Sequence, residues 1–164
     1  MQFTNTAQEL TYSRLKEYLP TSLFKDGVRP DPDRPHFELV YSQDTLIEVD
    51  VLPWERHPYP ERELAIVRAS SCISIGSGPT LELFEYLLAE NRKLRFGSFQ
   101  TDEAGAVFFA NRILGGENMD LVELETCLLS VAAIATEYEP LITEQFGGQL
   151  ARGQRLAELS QNSA

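Results

Sequence analysis

The chain has 164 residues, of which 43% are hydrophobic and 24% are charged. This length and composition are typical of one globular domain with its own core, and they exclude an intrinsically disordered chain. The net charge of −11 repels phosphate backbones and anionic lipids, so neither nucleic acid nor a membrane is expected as a partner. The longest apolar run, residues 127–135, is too short to span a bilayer.

The N-terminal residues lack the basic and apolar regions of a secretory signal, which favours a cytoplasmic location. Cys72 and Cys127 both lie in strongly apolar segments, where a buried thiol is the usual state of a cysteine in a cytoplasmic protein. The sequence does not require a disulfide between them and does not exclude one.

Acidic residues are concentrated in the last third of the chain. Between residues 99 and 151 there are nine carboxylates and one guanidinium, that of Arg112, which leaves a local charge of −8. A surface of this kind favours a basic or amphipathic protein segment as a partner. The alternative explanation is that the charge only keeps the protein in solution.

The first element predicted is a helix. Thr6 and Glu9 form a capping box that begins it, and Pro20 ends it. Residues 21–35, with three prolines and an Asp-Gly pair, are typical of an extended connector.

Three strands follow the connector. Residues 36–41 and 45–52 alternate apolar and polar side chains on either side of a short polar turn, which indicates a hairpin. Residues 63–75 form the third predicted strand. Gly76-Ser77-Gly78-Pro79 ends it, and Pro79 is expected at the first position of the next helix.

The second half of the chain predicts two helices that flank a second hairpin. The first of these helices covers residues 80–93, with an apolar stripe of Leu81, Phe84, Leu87 and Leu88. Strands 94–101 and 105–114 meet at an Asp-Glu-Ala-Gly turn. The last helix, which Pro140 is expected to kink or end, has a stripe of Leu121, Leu124, Leu128, Val131, Ala135 and Tyr138.

This order of elements predicts an α+β fold, with an antiparallel sheet of about five strands and helices packed mainly on one face. We expect residues 1–146 to form a single domain and residues 147–164 to form a C-terminal tail that is partly helical or mobile. The opposite face of the sheet is expected to carry charged residues in cross-strand ion pairs, namely Glu38, Glu48, Asp50, Arg68 and Arg112. The alternative is that this face is simply solvated.

The fifth strand is apolar on both faces over residues 106–110. A strand of this kind usually lies between two covered surfaces. Either a second copy of the chain covers the sheet, which makes a homodimer the preferred expectation, or the C-terminal segment covers it. Phe108 and Phe109 are therefore candidate partner-binding residues.

A proline-rich loop, residues 53–60, carries two large aromatic side chains, Trp54 and Tyr59. Rigid aromatic residues on an exposed loop are good anchors for a partner peptide or a second subunit, so both are candidate partner-binding residues. The alternative is that Trp54 only caps the edge of the core, because indole rings are mostly buried.

The sequence assigns no catalytic residue, metal ligand or cofactor. The loop Gly76-Ser77-Gly78-Pro79 lacks the third glycine of a dinucleotide motif and the Gly-Lys-Ser/Thr of a mononucleotide motif, so it predicts a turn. His36 and His57, expected at one end of the sheet, have no known metal-ligand spacing. They are the basis of an alternative function, a small-molecule-binding protein or an enzyme.

The order of elements, the Gly78-Pro79 helix entry and the long last helix resemble the type III secretion chaperone-like fold, closest to its YbjN-like branch, over residues 7–145. The resemblance implies a small, acidic, non-enzymatic cytosolic protein, often dimeric, that holds partner polypeptides. The sequence therefore favours a chaperone-like or adaptor protein that binds another protein through apolar sheet and helix surface framed by acidic residues.

Overall fold

The computed structural model describes residues 1–42, 45–59 and 61–150 of the chain. The helices are α1 (Thr6–Tyr18), α2 (Leu81–Asn91) and α3 (Leu121–Phe146). The strands are β1 (Val28–Pro30), β2 (His36–Tyr41), β3 (Thr45–Pro53), β4 (Ala65–Ile75), β5 (Ser98–Thr101), β6 (Val107–Leu114) and β7 (Gln149–Leu150). The predicted order of the main elements is confirmed.

The strands form one antiparallel sheet in the order β1-β2-β3-β4-β6-β5, and β7 pairs with β4 outside this path. The predicted α+β class is confirmed, with two strands more than the five expected. One of them, β1, lies within residues 21–35, which we expected to be only a connector. Val28 pairs with Leu39 of β2, and Pro30 is tolerated because β1 is an edge strand.

All three helices pack on one face of the sheet. The core cluster contains buried residues of each helix, and from the strands it takes only alternate positions, such as Phe37, Ile47, Val67 and Phe109. Since successive strand residues point to opposite faces, the helices in the described part of the chain leave the other face uncovered. The expected placement of the helices is confirmed.

The start of α1 differs from the sequence-based expectation by one residue. Asn5, not Thr6, is the N-cap, and its side-chain oxygen accepts a hydrogen bond from the Gln8 amide at 2.8 Å. The Asn5 amide group also donates to the Leu64 carbonyl at 3.2 Å. The cap is therefore also a tertiary contact, which a local capping pattern does not reveal.

The entry and the buried stripe of α2 also differ from the expectation. Thr80 is the N-cap, so Pro79 lies before the helix and not at its first position. The buried residues are Leu83, Leu87 and Glu90, whereas the predicted stripe residues Leu81 and Leu88 are exposed. The helix lies against the edge strand β5, so only a narrow line of its side chains reaches the core.

The helix α3 begins at the cap residue Asp120, whose carboxylate accepts hydrogen bonds from the amides of Val122 and Glu123. It continues through Pro140 to Phe146, so the proline does not end it. Most of the predicted stripe is buried, including Leu124, Leu128, Val131 and Ala135, but Leu121 is exposed.

Two tyrosine–glutamate hydrogen bonds connect the helices. Tyr18 of α1 donates to Glu125 of α3 at 2.7 Å, and Tyr138 of α3 donates to Glu90 of α2 at 2.8 Å. Burial, together with the bonded carboxylate, raises the pKa of both tyrosines to about 12. Their hydroxyl groups therefore remain donors at neutral pH.

The C-terminal part of the described chain returns to the sheet. Residues Gln149 and Leu150 pair with Ile75 and Ser74 of β4, and the Ser77 hydroxyl donates to the Gly147 carbonyl at 3.0 Å. The rest of the predicted tail, residues 151–164, lies outside the described residues. Within the described ranges, no helix is long and apolar enough to cross a membrane.

Both cysteines are among the described residues, and they do not form a disulfide with each other. Cys127 is buried on the core-facing side of α3, and Cys72 is half-buried in β4. Burial raises the pKa of the Cys127 thiol to about 12, so this thiol is inert at neutral pH.

Candidate functional site

The side of the sheet opposite the helices, which we call the open face, carries a mixture of charged and apolar side chains. Its members are Arg29, His36, Glu38, Val40, Leu46, Glu48, Asp50, Leu52, Ile66, Arg68, Ser70, Cys72, Ser98, Gln100, Phe108, Ala110, Arg112 and Leu114. Most are partly exposed, in contrast to the core positions between them. All five charged residues that we expected on this face are found there.

Asp50 lies at the centre of a hydrogen-bonded group that joins three strands. Its Oδ1 is 2.9 Å from His36 Nδ1 on β2, and its Oδ2 accepts two bonds from the Arg68 guanidinium on β4, at 2.7 and 3.1 Å. The expected cross-strand ion pairing is thus confirmed for Asp50 and Arg68.

The environment of Asp50 lowers the pKa of its carboxyl group. Burial alone would raise this pKa, but the hydrogen bonds from His36 and Arg68 outweigh that effect and hold it below the ordinary value of 3.8. The group is therefore ionised at neutral pH and fixes the orientation of both partners. The contact with Asp50 is made by Nδ1 of the His36 ring.

A shallow pocket of about 250 Å³ lies on the open face beside Phe108. Its wall is formed by Glu48, Arg68, Ser70, Gln100, Thr101, Asp102, Phe108 and Ala110. Phe108 is half-buried, so part of its ring is accessible to a second molecule. One of the predicted partner-binding residues therefore lies on a surface that can be contacted.

Phe109 lies in the core and has no exposed area. Its ring meets that of Phe99 edge-on, with 5.4 Å between the centroids. We expected Phe109 to bind a partner together with Phe108, but a side chain sealed beneath the helices is not part of the surface of the folded subunit. Neighbouring strand residues point to opposite faces, so one residue of the pair faces inward.

The loop that follows β3 places Trp54 and Tyr59 in different environments. The Trp54 ring is half-buried and meets the His57 ring at 5.8 Å between centroids. Tyr59 is 55% exposed, and the Arg62 guanidinium lies 5.6 Å from the centre of its ring. Pro60, the last residue of the predicted loop, lies outside the described residues. Tyr59 is thus available for contact, whereas Trp54 also supports the loop.

The two histidines are held by different partners. His36 is buried and bonded to Asp50, whereas His57 packs against Trp54 and accepts a hydrogen bond from the Tyr59 amide at 3.2 Å. In the described part of the chain, no group of three or more histidine, cysteine or carboxylate side chains is arranged to hold a metal ion. The alternative function based on this end of the sheet remains a prediction.

A second surface lies between the end of β6 and the start of α3, and we call it the α3 groove. It has a volume of about 410 Å³ and is lined by Phe96, Asn111, Arg112, Ile113, Asp120, Val122, Glu123, Thr126 and Cys127. Phe96 is 65% exposed and Val122 is 77% exposed, and two carboxylates lie beside them. A neighbouring depression that shares Glu123 adds the exposed residues Leu10 and Leu114.

Within the described residues, β6 has no strand partner beyond Ala110 on its β5 side, and we call this stretch the free edge of β6. Its pairing with β5 ends at Ala110, which is opposite Ser98, so residues 111–114 extend beyond their neighbour. Here the Arg112 amide donates to the Asn111 side-chain oxygen at 2.8 Å, and the Asn111 amide group donates to Ser130 at 3.1 Å. An exposed edge of this kind is able to pair with another extended segment.

The sequence reasoning missed Phe96 and Val122. Val122 carried a usable signal, because it follows a strong cap residue and lies off the apolar stripe of α3, where an apolar side chain is exposed. Phe96 had no such signal. Its role depends on Gly97, which has a φ of +67° and approaches β6 so closely that a Cβ atom would lie 2.6 Å from the Ala110 carbonyl oxygen.

The fold is similar to that of an uncharacterized protein from Methanothermobacter thermautotrophicus, known from a crystal structure. The two chains are 17% identical, the match covers 84% of this chain and 100% of the other, and the TM-score is 0.52. At this identity the likeness shows the fold alone. No protein-family model matches the chain, and no curated protein matches it significantly.

Proposed function

We propose that this chain is a non-enzymatic protein-binding module, chaperone-like or adaptor in its action, that holds an extended segment of another protein in the α3 groove. The observation that carries the proposal is the exposure of Phe96 and Val122 in one groove beside Asp120 and Glu123. Large apolar side chains that are exposed together and bordered by charges are typical of protein-binding surfaces.

The free edge of β6 supports an extended conformation for the bound segment. A peptide that pairs with residues 111–114 presents its side chains alternately to the groove and to solvent. The strand would gain main-chain hydrogen bonds, while the groove would select apolar residues at every second position.

The charge of the groove supports a basic partner. The α3 groove and the neighbouring depression together contain four carboxylates, those of Glu63, Glu117, Asp120 and Glu123, and two guanidinium groups, those of Arg62 and Arg112. This net negative charge attracts lysine or arginine residues at the solvent-facing positions of the peptide.

The proposal also includes the cytoplasm as the location and the homodimer as the working form. The thiol state of the cysteines and the resemblance to the type III secretion chaperone-like fold support these two points. The same resemblance supports a role in holding partner polypeptides.

The test uses three synthetic ten-residue peptides: one alternates leucine with lysine, one alternates leucine with glutamate, and one alternates serine with lysine. We expect only the leucine–lysine peptide to bind, and we expect Phe96→Ser and Val122→Ser each to weaken its binding about tenfold, because each removes an exposed apolar contact. Fluorescence anisotropy at two salt concentrations measures the affinity, which should fall as salt rises.

Leu88→Ser is the matched control, since Leu88 is 65% exposed on α2 and does not line the groove. It should bind the peptide as the unchanged protein does. If all three peptides fail to bind, or if the two groove variants bind as tightly as the control, the proposal is wrong.

A further inference from the structure

Carboxylates and guanidinium groups lie mainly on different halves of the open face. The acidic residues Glu38, Glu48 and Asp50 lie on β2 and β3, and the basic residues Arg68 and Arg112 lie on β4 and β6. The boundary between β3 and β4 is also the middle of the six-strand path. Arg29 of the edge strand β1 also lies on this face, opposite Glu38, so the strand residues of one half carry a net charge of −2 and those of the other half a net charge of +2.

Apolar residues border this charged region at both ends of the strands. One row consists of Val40, Leu46, Cys72 and Phe108, where Val40 pairs with Leu46 and Cys72 pairs with Phe108. The other row consists of Leu52, Ile66 and Leu114, which are paired across β3, β4 and β6. The layout of the face from one strand end to the other is thus apolar, charged and apolar.

We infer that the open face binds the open face of a second copy of this chain, about a two-fold axis that runs parallel to the strands between β3 and β4. This axis places β3 over the partner's β4 and β2 over the partner's β6. The acidic half of each subunit then meets the basic half of the other, and each apolar row meets its own copy.

The charge pattern favours this axis over the other two-fold axis that would bring the two faces together. A two-fold axis perpendicular to the strands would place each strand over its own copy, so acidic strands would face acidic strands and basic strands would face basic ones. Like charges brought together in this way oppose association. With the axis parallel to the strands, Glu38 lies over the partner's β6. Along that strand it is level with a position two residues from Arg112, a distance of about 7 Å. An arginine side chain can span this distance, so Glu38 approaches the partner's Arg112.

The size of the face is sufficient for a specific dimer. Six strands about 4.8 Å apart and seven residues at about 3.4 Å each give a face of about 29 by 24 Å, or roughly 700 Å² per subunit. Two such faces bury about 1,400 Å², which falls within the range of specific interfaces. Arg112 and Leu114 border both this face and the proposed peptide site, whereas Phe96 and Val122 do not belong to the open face.

The test is a charge exchange in the full-length chain. Glu38→Arg and Arg112→Glu should each weaken the dimer about tenfold, because each places like charges opposite one another across the axis. The double variant restores opposite charges and should recover most of the lost affinity. Analytical ultracentrifugation over a range of concentrations gives the dissociation constants, and circular dichroism confirms that the variants fold.

The unchanged protein provides a second measurement, since its dimer should weaken as the sodium chloride concentration rises. A full-length protein that is monomeric at all concentrations overturns the inference. This holds also if the C-terminal segment of the same chain covers the open face. A dimer that is indifferent to both single exchanges also overturns it, because its interface would lie elsewhere. Peptide binding is measured separately with Phe96→Ser and Val122→Ser, which leave the open face unchanged. A failed dimer test therefore counts against the homodimer in the proposed function and not against its peptide-binding part.

Discussion

Phe108 and Phe109 are adjacent in β6 but lie in opposite environments. The first is half-buried on the open face, and the second is fully buried against Phe99. The strand alternates between the two faces of the sheet, and the helices of the described residues pack against one of them. A run of apolar residues therefore divides into one core residue and one surface residue, which have different roles.

Replacement of each phenylalanine by alanine should separate these roles. Phe109→Ala should lower the free energy of unfolding by about 3–5 kcal/mol, because it leaves a cavity in the core. Phe108→Ala should lower it less, by about 1 kcal/mol, since part of its ring is already in contact with solvent. Chemical denaturation at a concentration where both variants have the same oligomeric state measures the difference. Equal losses would contradict the assignment of the two faces.

At the scale of the element, α1 shows how a tertiary contact selects a helix start. Asn5 caps the helix through Gln8 and also bonds to the Leu64 carbonyl. Thr6 has the residue type of a cap, but it is the first residue of the helix, and its amide donates to Glu63 at 2.7 Å. The helix thus begins one residue earlier than the capping pattern predicts.

Alanine substitutions at the two positions should confirm where the cap lies. Asn5→Ala should lower the free energy of unfolding by about 1–2 kcal/mol, because it removes the cap and the bond to Leu64. Thr6→Ala, the matched control, should change it by no more than a few tenths of a kcal/mol, because the main-chain bond to Glu63 remains. Thermal and chemical denaturation of both variants provide the measurement. A larger loss of stability for Thr6→Ala than for Asn5→Ala would show that Thr6 is the N-cap.

At the scale of the whole molecule, several carboxylates make the stability of the fold depend on pH. Hydrogen bonds from a neighbouring cation or amide lower the pKa of Asp31 and Glu90, and the bonds from His36 and Arg68 lower that of Asp50. A carboxyl group with a lowered pKa in the folded state stabilises the fold above its unfolded pKa. That stabilisation is lost as the pH falls through the folded pKa.

The stability of the protein should therefore fall on acidification, and Asp50→Asn should reduce this dependence. At pH 7 the variant should be less stable by about 1–3 kcal/mol, since it loses charge-assisted hydrogen bonds to His36 and Arg68 in a partly exposed site. Below pH 3.8, the ordinary pKa of an aspartate, the difference between the two proteins should shrink. Urea denaturation from pH 7 to pH 2 measures it.

Glu55→Gln is the control for this series, because Glu55 is an exposed carboxylate in the loop after β3. The relief of repulsion among the −11 net charges acts in the opposite direction, but it is nearly common to all three proteins and cancels in the comparison. A difference between the unchanged protein and Asp50→Asn that is constant over the whole pH range would show that Asp50 is not coupled to folding in this way.

The sequence by itself determined the order of the elements, the α+β class and the charged face of the sheet, because hydrophobic periodicity and strand alternation depend on residues close together in the chain. Only the tertiary structure decided that Phe109 faces inward, that His36 pairs with Asp50 while His57 packs on Trp54, and that Phe96 and Val122 meet in one groove. These contacts join residues that are distant in the sequence. Strand register and helix packing bring them together, and neither is encoded in a local pattern.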